Sequence, residues 1–169
     1  MQDNLKDFMS NRHIDTDLID LSNPVSMLGN GIALMMVKNK SLKKRLSIAQ
    51  LRTVVSLCVK LNLRKLYLLT DNTLKNAYVT QFDTFKPYLD VEIVTFSFLL
   101  IKPGEMYLDK DISLLSDGRE FMRKKGIMNP EKELSGLSVT DRHVVWYNMK
   151  KGDIVLVRDM QESYYRIVD

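Results

Sequence analysis

The run DRHVVWYNMKKGDIVLVR, residues 141–158, decides how the second half of the chain is read. Asp141, or Thr140 before it, is suited to cap a helix, because a short side-chain oxygen accepts from the free N–H groups of a first turn. The pattern then predicts a short helix from Arg142 to Tyr147. Asn148 is placed to stop it, since Asn tolerates the left-handed conformation better than most residues. Lys150-Lys151-Gly152-Asp153 reads as a turn and Ile154–Val157 as a strand. Tyr164–Val168 follows as a second strand, with Arg158–Ser163 as the hairpin connection. The expectation is a small α+β unit closed by a terminal β-hairpin.

Working outward from this run, Leu134-Ser135-Gly136 opens the unit. Before it, Ile112–Lys125 is expected to form an amphipathic helix, with Leu115, Phe121 and Met122 toward the core and Gly126 as its C-terminal cap. Lys102-Pro103-Gly104 marks a linker, since Pro cannot continue a central strand and Gly frees a turn. Upstream the texture is α/β. Ile32–Val37 reads as a buried strand. Ser47 fits an N-cap, and Ile48, Leu51, Val55, Cys58 and Leu61 recur at helical spacing. Lys65–Leu69 is a strand, and Asp71-Asn72-Thr73 opens a helix over Leu74–Phe82. Phe85-Lys86-Pro87 breaks that helix, and Val91–Leu99 reads as a long strand rich in β-branched and aromatic residues. The fold expected is therefore an α/β N-terminal domain over 1–100 and an α+β C-terminal domain over 105–169.

The bulk composition fits two such domains. Of 169 residues, 45% are hydrophobic and 27% charged, so a core can be buried. The longest apolar runs, such as Phe96 to Ile101, are far short of the roughly 20 residues of a membrane span. Residues 1–10 hold no apolar signal core, so neither secretion nor membrane insertion is expected. Cys58 is the only cysteine, which rules out an internal disulfide and suits a reducing compartment.

Charge is unevenly spread. The net charge of +4 sits in the first half, and the residues after 98 balance. No acid occurs between Asp20 and Asp71, where nine Lys or Arg fall: Lys38, Lys40, Lys43, Lys44, Arg45, Arg52, Lys60, Arg64 and Lys65. Such a stretch suits phosphates through counterion release, an acidic protein partner, or an ordinary solvated face.

Catalytic signals are few. No Gly-rich phosphate loop is present. His13 and His143 lie far apart, with only Cys58 to join them in a zinc site. The pattern places His13 in a loop, His143 on a helix surface and Cys58 in the core. A metal-dependent nuclease often sets an acid two positions before a Lys on one strand. None of the 21 acids here has Lys at that offset, and Glu92 meets Val94 there. Tyr164 and Tyr165 are adjacent on a strand and face opposite sides. Trp146 anchors a core if buried and marks a partner surface if exposed.

The C-terminal run resembles the fifth subunit of eukaryotic RNA polymerases and its smaller archaeal counterpart. The matching residues are Leu134, Leu137, Asp141, Val144, Tyr147, Lys150, Gly152, Ile154–Val157 with Arg158, then Tyr165, Arg166 and Ile167. The spacing from Asp141 to Arg158 matches without gaps. Upstream, Ser47–Leu61, Lys65–Leu69 and Asp71–Ala77 look like a helix, a strand and a turn of that family's jaw domain. The resemblance covers Ser47 to Asp169, with its strongest motifs after Leu134. Ser135, Arg142 and Asn148 depart from the family's Pro, Pro and Gly, the hairpin is shorter, and the Thr-Pro-Ser-Ala turn survives only as Thr73–Ala77. These departures, and Asp141 with Val144-Val145-Trp146, are similar to members from large DNA viruses.

The resemblance implies a non-catalytic subunit of a DNA-directed RNA polymerase. It binds no cofactor or metal of its own, forms no homo-oligomer, and has the largest and neighbouring small polymerase subunits as partners. Asp141, Val145, Trp146, Arg158, Tyr165 and Arg166 become subunit-interface candidates. The N-terminal domain would form part of a lower jaw beside downstream duplex DNA, with Thr73, Lys75, Asn76, Lys43, Lys44 and Arg45 as candidate contacts. The implied location is intracellular: the nucleus, or a cytoplasmic viral factory and virion. A stand-alone nucleic-acid-binding module and a degenerate nuclease-like domain are the alternatives.

Overall fold

The computed structural model describes residues 1–37, 48–70, 82, 84–105 and 110–169. The expected N-cap Ser47, the helix expected over 74–82 apart from Phe82, and the six candidate DNA contacts lie outside them. The chain divides into two compact units, Met1–Leu100 and Ile101–Asp169. Among the described residues they hold two four-stranded sheets and six helices, a mixed α/β fold.

In the first unit, α1 (Gln2–Ser10) buries Leu5, Phe8 and Met9. The sheet runs β1 (Val25–Met27), β2 (Ile32–Val37), β3 (Lys65–Thr70) and β4 (Asp90–Thr95), in that spatial order. Strands β2, β3 and β4 are parallel, and β1 is antiparallel to β2. A parallel strand covered on both faces favours continuous apolar sequence. β3 fits this, being buried without a break from Leu66 to Thr70. One sheet face supplies Ala33, Leu66 and Leu68 to a core shared with Val55 and Cys58 of α2 (Ile48–Lys60). The pleat sends Leu34, Met36, Tyr67 and Leu69, all buried, to the other face. Asn62, at φ 55°, ends α2: the N–H of Leu63 donates to the Cys58 carbonyl at 2.9 Å and that of Asn62 to Val59 at 3.0 Å. These are the paired bonds of a Schellman stop.

The long strand expected over Val91–Leu99 is shorter. It stops at Thr95, and Phe96–Leu99 forms a short helix, α3. The Thr95 hydroxyl accepts from the Phe98 N–H at 3.2 Å and so caps the new helix. The turn carries Phe98 edge-on against Phe8, 5.8 Å between ring centroids, and buries Leu99 completely. Tertiary packing thus overrides the β propensity of the Phe-Ser-Phe run.

In the second unit, the order is β5 (Asp111–Leu114), α4 (Gly118–Lys124), α5 (Pro130–Glu133), β6 (Ser135–Leu137), α6 (Arg142–Trp146), β7 (Ile154–Arg158) and β8 (Ser163–Val168). Pro103, in the expected linker, is buried. The sheet is ordered β5-β7-β8-β6. β7 and β8 form the expected hairpin, while β6 joins the far side of β8 in parallel. β8 is therefore an interior strand.

The helix expected over Ile112–Lys125 is corrected to a strand and a shorter helix. Ile112 lies opposite Val157 in the β5–β7 ladder and completes one apolar sheet face. α4 starts only after Asp117, which adopts φ 53°. Met122 is fully buried, whereas Phe121 is an exposed residue resting on Tyr165. Gly126 closes α4 in the left-handed conformation, with Ile127 donating to the Met122 carbonyl at 3.0 Å. Asn148 does the same for α6 at φ 55°, with Met149 donating to Val144 at 3.0 Å. The core here is Ile112, Leu137, Val144, Met149, Val155, Val157 and Val168.

Candidate functional site

The six residues expected at a subunit interface divide among different places in the second unit. Trp146 is fully buried, so its side chain anchors the core and is not a surface for a partner. Val145 is half-buried on the same helix. The alternation of β7 and β8 separates the rest. Tyr165 pairs across from Leu156 and lies on the face of α4, where it meets Phe121 at 5.6 Å. Arg158 shares that face and forms an exposed ion pair with Asp111 at 3.0 Å. An exposed pair of this kind contributes little to stability.

Arg166 lies on the opposite face, in register with Val155. It shares a cavity of about 290 Å³ with Asp141. Ile112, Leu137 and Val157 give this cavity an apolar floor, and Lys110, His143 and Tyr164 complete its polar rim. The Lys110 ammonium donates to the Tyr164 hydroxyl at 2.8 Å. That bond, and then the charge a phenolate would carry there, holds the Lys110 pKa above its ordinary value. The Arg166 guanidinium carbon lies 5.4 Å from the centroid of the Tyr164 ring, and its Nη1 donates to the Gly136 carbonyl at 3.3 Å. Its Nε is buried without a hydrogen-bond partner, as is Nε2 of His143.

Among the described residues, the two acids near this cavity, Asp141 and Asp159, are already engaged. Asp141 caps α6, its Oδ1 accepting from the His143 backbone N–H at 2.8 Å. The same oxygen stands 3.4 Å from Nδ1 of the His143 ring. Asp159 accepts from the N–H groups of Gln161 and Glu162, each at 2.9 Å, which lowers its pKa, and stands 3.8 Å from the Lys110 ammonium. His143 is buried, contrary to the surface position expected for it, because α6 turns it back beside its own cap. A second cavity, of about 350 Å³, includes Gly136, Gly152 and Asp169. Its Arg119 and Glu131 are paired with each other at 2.6 Å.

The first unit contains a different charged cluster. Glu92 meets Arg12 at 2.8 Å through one oxygen and Lys65 at 2.9 Å through the other. Burial alone would depress the Lys65 pKa, but the hydrogen bond and charge of Glu92 overcome it and raise the value. Burial, aided by Glu92, raises that of Tyr67 beside it. Glu92 is thus held by two cations. No group of three or more His, Cys, Asp or Glu among the described residues is placed to hold a metal. Burial pushes the Cys58 thiol up in pKa. His13 stands in a loop at φ 57°.

Of the basic stretch, Arg52, Lys60, Arg64 and Lys65 fall within the described residues, and Lys65 is committed to Glu92 and Asp90. No described helix is long and apolar enough to cross a membrane. Sequence reasoning missed Lys110 and His143 as neighbours of Arg166. Lys110 falls before a segment read as helix, and only the β5–β7 register brings it to this rim. No protein-family model matches the chain, and no curated protein matches it.

Proposed function

We propose that this chain is a non-catalytic subunit of a multisubunit DNA-directed RNA polymerase. In this reading the C-terminal unit docks on the largest subunit, and the N-terminal unit helps form a lower jaw that guides downstream duplex DNA. The observation that carries it is the order and spacing of motifs from Asp141 to Ile167. Their local structure is compatible with this reading: Asp141 is a helix cap, Asn148 occupies a left-handed stop where the family has Gly, and Gly152 is a turn residue at φ 90°. The charge split supports it too, with a balanced second unit and a basic first one. The site of action would be the nucleus, or a viral factory and virion.

Affinity purification of the tagged chain, followed by mass spectrometry, tests this. Recovery of two very large polymerase subunits is the expected result. A lone protein with salt-sensitive DNA binding would instead favour a stand-alone nucleic-acid module, for which the basic stretch between Asp20 and Asp71 is the supporting feature. Metal-dependent cleavage of DNA by the pure chain would favour the nuclease-like alternative.

A further inference from the structure

We infer that the cavity between Arg166, Lys110 and His143 is a docking pocket for an acidic side chain, Asp or Glu, of a protein partner. This rests on the reading of the C-terminal unit as a docking domain and adds the chemistry of the group it accepts. Three observations support it. Arg166 stands over the cavity with no carboxylate partner among the described residues, while the nearby Asp141 and Asp159 each serve backbone N–H groups. Its Nε and the His143 Nε2 are buried without partners, although buried polar groups are normally satisfied. The floor of Ile112, Leu137 and Val157 is apolar, so it suits the methylenes of an acidic residue and an aliphatic neighbour.

The chemistry favours a protein carboxylate over a phosphate backbone. A polyanion needs a broad positive field, and the second unit has twelve basic against twelve acidic residues from 99 onward. A single carboxylate needs only local donors. Arg supplies them in a planar fork, and Lys110 adds a point charge beside the same Tyr164 ring. Desolvation by the apolar floor makes each of these bonds worth more than at an open surface.

Two-dimensional amide NMR of the full chain, titrated with acetyl-Leu-Glu-Leu-amide, tests the pocket. The expected result is saturable shifts at Val157, Tyr164 and Arg166, with the Gln analogue binding about tenfold more weakly, as loss of a charged hydrogen bond implies. Arg166→Gln should abolish these shifts while leaving the amides of Ala33, Leu66 and Val55 in place. Equal shifts from the Glu and Gln peptides, no shifts at the cavity, or stronger binding of inorganic phosphate at the same amides would each overturn the inference. Co-purification with polymerase subunits reports separately on the function. Polymerase recovered at wild-type yield by Arg166→Gln, without peptide shifts, sinks the pocket and spares the function. Peptide binding by a chain that recovers no polymerase does the reverse.

Discussion

Arg12 and Glu92, 80 positions apart, are joined at 2.8 Å on one side of the first sheet. The Arg12 side chain is 6% exposed and that of Glu92 27%. Arg12 also stacks 3.5 Å from the Phe8 ring centroid and donates to the Phe8 carbonyl. Removing one member of a largely buried pair leaves the other charge poorly compensated. Lys65 remains beside Glu92 and softens that loss. Arg12→Ala should therefore cost about 2 kcal/mol. Urea unfolding followed by circular dichroism checks it, and an unchanged midpoint would show that the pair contributes nothing.

Trp146 is the sole tryptophan and is fully buried, so its fluorescence reports the second unit alone. Native emission should be blue-shifted and move red on unfolding. Trp146→Leu should destabilise that unit by about 3 kcal/mol, through lost burial and the cavity left behind. Amide protection of β3 should survive the substitution. Loss of protection in both units together would argue that they unfold as one.

Cys58 has its thiol pKa raised by burial, only partly offset by its own backbone hydrogen bond. The folded state therefore holds the proton more tightly than the unfolded one. Its contribution is full below the ordinary thiol range and is lost as pH rises through the folded value. Native protein at pH 8 should react with a disulfide reagent at least about tenfold more slowly than the urea-unfolded chain. Equal rates would contradict the packing of Cys58 against Val55 and Leu63.

Asp159 shows the opposite sign. The Gln161 and Glu162 N–H groups lower its pKa, so the turn is favoured above the ordinary carboxylate value and weakened as pH falls through the folded one. The amide resonances of Gln161 and Glu162 should move below about pH 4. In Asp159→Asn that titration should vanish. Its persistence in the variant would assign the effect to another acid.

Much of the second unit was legible in its sequence, because its signals are local. The Asp141 cap, the Asn148 stop and the Gly152 turn each act within a few residues. The helix read over Ile112–Lys125 failed for a long-range reason: Ile112 is set by Val157 on a strand far along the chain. The strand over Val91–Leu99 failed similarly, since Phe98 answers to Phe8. His143 was misplaced because a five-residue helix has too little periodicity to separate its faces. The cavity was partly legible: Asp141 and Arg166 stood among the candidates, but Lys110 reached them only through strand register.

The interior position of β8 also bears on synthesis. The parallel core of the first unit, β2 to β4, is complete by Thr95, so that unit can gather its sheet while later residues are still being made. The second sheet cannot: its β5–β7 pair and β6 are joined only through residues 163–168. Until those residues leave the ribosome, β6 has no neighbour and β7 has only β5. The nascent second unit thus leaves β6 and one edge of β7 unpaired until β8 is made, and its sheet closes by late, non-local pairing.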